Sequence, residues 1–171
     1  MSSDEITGMT LERVAAAIRS KHVSSVEVTQ RCLDRVDTLA SKVNGFISVE
    51  RDEVLKAAEA ADDALRQGAV CGPLHGVPLA HKDMFYRKGK VSTCGSKIMQ
   101  DQVQNVTSTV LERLEDAGAL YMGSLHMSEF AAGPTGHNDH YGPCRNPWNL
   151  DHITGGSSSG SGASVASRFT F

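Results

Sequence analysis

Apolar residues in this chain recur with two different periods, and the two alternate along it. That alternation limits the fold more than any other feature. Thr10 is placed to cap a helix whose Leu11, Val14 and Ile18 share one face. Ser24, with Glu27 three positions on, forms a capping box: each side chain satisfies a free N–H at a helix start. The stripe Val28, Cys32, Val36 and Leu39 follows, with the helix predicted to end near residues 40–42. Phe46-Ile47-Ser48-Val49 reads as a short strand. Charged residues from Glu50 open a third helix that turns Val54, Leu55, Ala58, Ala61 and Leu65 inward, with Gly68 as its stop. These three helices carry no dense chemistry and read as scaffold.

Beyond them the character changes. Turn residues from Cys71 lead into a mostly apolar strand that ends near Lys82. Ser108 is placed to cap a helix carrying Val110, Leu111 and Leu114, ended at Gly118, and residues 119–123 read as a buried strand. Helices alternating with short strands predict an α/β layer architecture. From Ala131 to His152 little is periodic, so a long loop is expected there. Residues 1–9 are polar and read as a flexible lead-in, with one domain over residues 10–171.

Composition narrows the function classes. At 40% hydrophobic and 22% charged residues, the chain is globular rather than disordered. A net charge of -3 with no long basic run argues against nucleic acid as a direct partner. No apolar run approaches the roughly 20 residues that span a bilayer. Cys32, Cys71, Cys94 and Cys144 are widely spaced and form no Cys-x-x-Cys. With no secretory signal at the N-terminus, this predicts reduced thiols in the cytoplasm.

Three groups of residues carry candidate chemistry. Lys82 ends an apolar strand. Desolvation lowers the pKa of an ammonium, so a buried lysine can act as a base; the alternative is a lysine that reaches out to solvent. The run Thr154-Gly-Gly-Ser-Ser-Ser-Gly-Ser-Gly-Ala163 is either a flexible linker or a serine-rich catalytic loop, with a helix opening at residues 163–166. A serine hydroxyl becomes a nucleophile or relay only when a base takes its proton. Ser157, Ser158, Ser159 and Ser161 are the candidates. His137 and His140, with Cys144 nearby, make a conceivable metal site, but the spacing fits no common zinc motif. No lysine follows the glycines, so a Walker loop fails, and no cofactor is expected.

Five ordered segments resemble the amidase signature family of serine hydrolases. Gly72-Pro73-Leu74-His75-Gly76-Val77-Pro78 leads to Lys82-Asp83. Thr93-Cys94-Gly95-Ser96, then Glu129-Phe130-Ala131, follow. Gly142-Pro143 with Arg145-Asn146-Pro147-Trp148, and Gly155-Gly156-Ser157-Ser158, complete the order. The resemblance implies the N-terminal part of that family's fold, a mixed sheet flanked by helices. It implies a Ser-cisSer-Lys triad with Lys82 as the base and Ser157 as the serine held by a cis peptide bond. Such a site attacks a small carboxamide and forms an acyl-enzyme. The family's acylating serine lies about two dozen residues past the cis serine, in an Asp-x-Gly-Gly-Ser segment. Phe171 is only 14 positions past Ser157. The sequence is therefore expected to be a truncated part of that domain, without the nucleophile, inactive alone, and prone to association through surface left exposed. Ser159 replaces a usual glycine, His81 replaces a usual small apolar residue, and residues 167–171 do not follow the family's continuation. Two further readings remain open. One is the amidase subunit of a tRNA-dependent amidotransferase. The other is a non-catalytic remnant that binds a partner.

Overall fold

The computed structural model describes residues 3–171 of the chain. The elements are α1 (Ser3–Thr7), α2 (Leu11–Arg19), α3 (Ser25–Val43), β1 (Phe46–Val49), α4 (Arg51–Arg66), β2 (Pro78–Lys82), α5 (Thr109–Asp116), β3 (Leu120–Leu125), β4 (Arg145–Asn146), β5 (Asn149–Ile153) and α6 (Ser159–Ala166). β3 is the middle strand of a mixed sheet in the order β1-β3-β2. It pairs antiparallel with β1 and parallel with β2. β4 and β5 form a separate antiparallel hairpin.

Local chemistry explains the helices. Thr10 Oγ1 accepts from the Arg13 N–H at 3.3 Å and starts α2. The Ser24–Glu27 capping box starts α3 in both directions. The Asp62 carboxylate adds to it, accepting from the Ser25 N–H at 2.7 Å and the Val26 N–H at 3.1 Å. An anion is favoured there because the first N–H groups of a helix have no partner within it. Asn44, in the left-handed region at φ 54°, ends α3, and Gly68 at φ 79° follows α4.

Two apolar clusters sit among these elements. One joins α3, α4 and β3 with Phe169; the other joins α1, α2 and α3 with Val77. Hiding such surface is worth roughly 25 cal/mol per Å². It is the main return for ordering helices this short.

Several expectations need correction. Within the lead-in, Ser3–Thr7 are helical, and Ile6 and Met9 are buried in the second cluster. Residues 1 and 2 lie outside the described residues. Leu11, placed on one face with Val14 and Ile18, is exposed while those two are buried; in α5, Val110 is exposed and Leu111 is buried. The stretch from 131 to 152 is not all loop, because it contains β4 and the start of β5. Every β5 residue is exposed, so no apolar alternation marked the strand. α6 begins at Ser159, inside the glycine-serine run, rather than after it. Among the described residues, no helix is long and apolar enough to cross a membrane.

Candidate active site

The parallel pairing of β2 with β3 ends where Lys82 stands opposite Leu125. The Asp83 N–H continues the ladder to the Leu125 carbonyl at 3.2 Å. Lys82 is therefore held at a strand end and is only 7% exposed. Its Nζ lies 2.7 Å from Ser157 Oγ and, as an ammonium, donates to it. The two residues are 75 positions apart in the chain, and the fold brings them together. The Gly156–Ser157 peptide bond is cis. Among the described residues, Lys82 makes no ion pair. Burial pushes its ammonium below the ordinary lysine range, and the nearby Cys94 sulfur opposes that shift. A lysine that loses its proton more easily, beside a serine hydroxyl, can take the proton that hydroxyl releases.

Gly156 stands directly before Ser157 where backbones meet. A Cβ on Gly156 would fall 2.7 Å from the Gly133 carbonyl oxygen and 2.8 Å from the Gly136 nitrogen. The Ser157 carbonyl accepts from the Ser128 N–H at 3.1 Å. Ser158, Ser159 and Ser161 take other places. Ser158 is exposed, Ser159 is buried against His126, and Ser161 lies in the first turn of α6.

Asp83 has a different task from Lys82. Its carboxylate accepts from Thr93 Oγ1, from the Thr93 N–H at 2.9 Å and from the Gly95 N–H at 3.3 Å. Its carbonyl accepts from Ser92 Oγ at 2.5 Å. Asp83 thus folds the 92–96 loop against the end of β2. Ser96 Oγ passes the contact on to Glu129 Oε1 at 2.5 Å, and the Phe130 N–H donates to the Cys94 carbonyl at 2.8 Å.

The histidines read as possible ligands are spent on acids. His137 Nε2 lies 3.0 Å from Asp139 Oδ1, and His140 Nε2 lies 2.9 Å from Glu129 Oε1. Among the described residues, no three of His, Cys, Asp and Glu gather as a metal site. Two polar residues that carry the site's frame went unread in the sequence. Asn138 is buried; its Nδ2 donates to the Gly95 and Met127 carbonyls, and its Oδ1 accepts from the His140 and Tyr141 N–H groups. His126 is buried at the exit of β3. Its one signal was a polar residue directly after an apolar strand.

A mixed sheet thus places a buried lysine at a strand end, facing a serine on a glycine-containing loop. The chain belongs to the amidase family, the amidase signature enzymes, matching it over residues 27–171. It is 45% identical over 158 residues to a glutamyl-tRNA(Gln) amidotransferase subunit of Aromatoleum aromaticum, covering 92% of this chain and 32% of that protein. To the subunit of the same name from Geobacter metallireducens it is 43% identical, covering 96% of this chain and 34% of that protein. Among solved structures it is similar to a fatty acid amide hydrolase, with a TM-score of 0.93 and 29% identity over 98% of this chain and 30% of that one. It is also similar to the peptide amidase of Stenotrophomonas maltophilia, with a TM-score of 0.88 and 30% identity over 95% of this chain and 34% of that one. The chain thus spans about a third of the length of the curated relatives it matches. The family match also runs through Phe171, which corrects the reading that residues 167–171 leave the family. Phe169 is fully buried, and Thr170 Oγ1 donates to the Pro78 carbonyl at 2.9 Å.

Proposed function

We propose that this chain carries the proton-relay part of a carboxamide-cleaving site, with Lys82 as the base and Ser157 as the relaying hydroxyl. The 2.7 Å contact between Lys82 Nζ and Ser157 Oγ is the observation that carries this reading. With Lys82 neutral, Nζ takes the Ser157 hydroxyl proton while Ser157 Oγ takes the proton of an acylating hydroxyl. The freed oxygen bonds to the amide carbon, and the C–N bond then breaks. The relay returns a proton to the leaving nitrogen, and water or an amine releases the acyl group. Family pattern puts the acylating serine in an Asp-x-Gly-Gly-Ser segment past Phe171. The 171 residues alone are then inactive.

Identities of 45% and 43% to the two amidotransferase chains favour a finer reading. In it, the whole protein releases ammonia from a carboxamide for companion subunits of a tRNA-dependent amidotransferase. Ammonia release from glutamine and a panel of other amides, and hydroxamate formation with hydroxylamine, test both readings. The chain alone is expected to show no turnover. Joined in frame to the remaining two thirds of an amidotransferase relative, it is expected to turn over. Lys82→Ala should then cost at least about 100-fold in rate, the usual weight of a positioned acid–base group. Turnover by the joined chain that survives Lys82→Ala would overturn the relay, and turnover by the 171 residues alone would overturn the predicted inactivity.

A further inference from the structure

Ser159, the departure from the family's usual glycine, does not point at Lys82. Its Oγ lies 2.9 Å from Nδ1 of His126. The other ring nitrogen of His126, Nε2, lies 2.8 Å from the Gly142 carbonyl oxygen. A carbonyl only accepts, so Nε2 carries the proton, and Nδ1 accepts the Ser159 hydroxyl proton. The main chain of His126 is also fully engaged. Its N–H donates to the Gly45 carbonyl at 2.9 Å, and its carbonyl accepts from the Gly160 N–H at 2.8 Å. Two residues on, the Ser128 N–H holds the Ser157 carbonyl. Residues 126–128 therefore grip the 157–160 segment at both ends.

The surroundings keep this clamp neutral. Burial pushes His126 below the ordinary imidazole range, against the opposing pull of its bond to the Gly142 carbonyl. The Cys144 thiol beside Ser159 is pushed up to about 11 by burial and stays protonated. Neither ring nor thiol competes with Lys82 for a proton near neutral pH.

We propose that His126 is a positioning residue for the relay. Acting through Ser159, it sets where Ser157 Oγ stands relative to Lys82 Nζ. The two main-chain bonds of His126 need no particular side chain. The Nδ1–Oγ bond does, and it fixes the first residue of α6 two positions after Ser157. This inference rests on reading Lys82 and Ser157 as the relay.

The test follows the Lys82 side chain by ¹³C and ¹⁵N NMR titration, alongside thermal melting. The set is the unaltered chain, Ser157→Ala, Ser159→Ala, His126→Asn and His126→Gln. Asparagine puts a carboxamide oxygen near the place of Nδ1 and keeps an acceptor for Ser159. Glutamine puts an amide N–H near the place of Nε2 and keeps only the bond to Gly142. Both variants lose one buried hydrogen bond, so both should melt lower. The Lys82 titration should hold in His126→Asn. It should move up toward the ordinary lysine range in His126→Gln and Ser159→Ala, where a loosened Ser157 lets water reach Nζ. If Asn and Gln move Lys82 alike, or Ser159→Ala leaves it unmoved, His126 is only structural and the proposal is overturned. If the His126 variants do not fold, Ser159→Ala, which keeps the ring, decides alone. If Ser157→Ala itself leaves Lys82 unmoved, the relay reading falls, and this proposal falls with it.

Discussion

His81 and Lys82 are neighbours on β2 and point to opposite faces, as strand residues must. Lys82 meets Ser157. His81 stacks on Tyr121 with ring centroids 4.8 Å apart, and the Arg87 guanidinium lies 4.4 Å from the same Tyr121 ring centre. Nδ1 of His81 donates to the Lys82 carbonyl at 3.1 Å, and Nε2 is buried without a partner among the described residues. Burial pushes His81 below the ordinary imidazole range, as it does His126. A histidine with a lowered folded pKa binds its proton more readily in the unfolded chain. Its stabilising effect is present above the unfolded pKa of about 6.5 and is lost as pH falls toward the folded value. Urea midpoints should therefore drop from pH 7 to pH 5. His81→Leu should flatten part of that drop and raise the midpoint at pH 5, since Leu79, Leu111, Leu114 and Leu120 line the adjoining cavity. An unchanged pH slope in His81→Leu would show that His81 has no part in the drop.

Among the elements, α6 has the least intrinsic support. Ser159-Gly-Ser-Gly-Ala-Ser-Val-Ala166 contains two glycines, each costing about 1 kcal/mol relative to alanine in a helix interior. Packing against the exit of β3 compensates. A Cβ on Gly160 would run into the Gly45 carbonyl oxygen and the His126 backbone nitrogen. Gly160→Ala, helpful on propensity alone, should therefore destabilise the chain by about 2 kcal/mol or more and loosen Ser157. Gly162→Ala, with nothing within 4 Å of its Cβ, should be neutral or stabilising. Chemical denaturation of the two variants measures the contrast. The pair also shows what the sequence could and could not reveal. α2, α3, α4 and the strands through Lys82 were readable because their apolar periods and caps are local. The start of α6 was not, because tertiary contacts override its propensity. β5 was not, because both its faces meet solvent. Lys82 was a candidate by residue type, and the family resemblance singled out Ser157 among four serines. The meeting of Lys82 and Ser157 depends on the fold of the chain between them, 75 positions from one to the other; Asn138 had no local pattern to mark it, and His126 only its place directly after an apolar strand.

At the scale of the whole molecule, the surface raises the sharpest question. Two packed clusters hold the described residues together, yet large apolar groups stay outside them. Trp148, the chain's one tryptophan, is 86% exposed at the hairpin turn, and Ile153 on β5 and Val165 on α6 are also exposed. Arg35, Lys42, Pro147, Trp148 and Leu150 line a cavity of about 220 Å³ between α3 and the hairpin. Relatives about three times as long supply further chain that an exposed Trp148 can meet. Trp148 reports on such a meeting without added label. In the 171 residues alone its emission should be that of a water-exposed indole and be quenched efficiently by iodide. Joined to the remaining two thirds of an amidotransferase relative, the same indole should shift to the blue and lose most of that quenching. Trp148→Phe supplies the blank for any tryptophan the added part brings. If the joined chain turns over amides while Trp148 stays fully quenchable, the hairpin faces water in the whole protein. The exposed indole would then have to be explained by a separate partner rather than by the rest of the same domain.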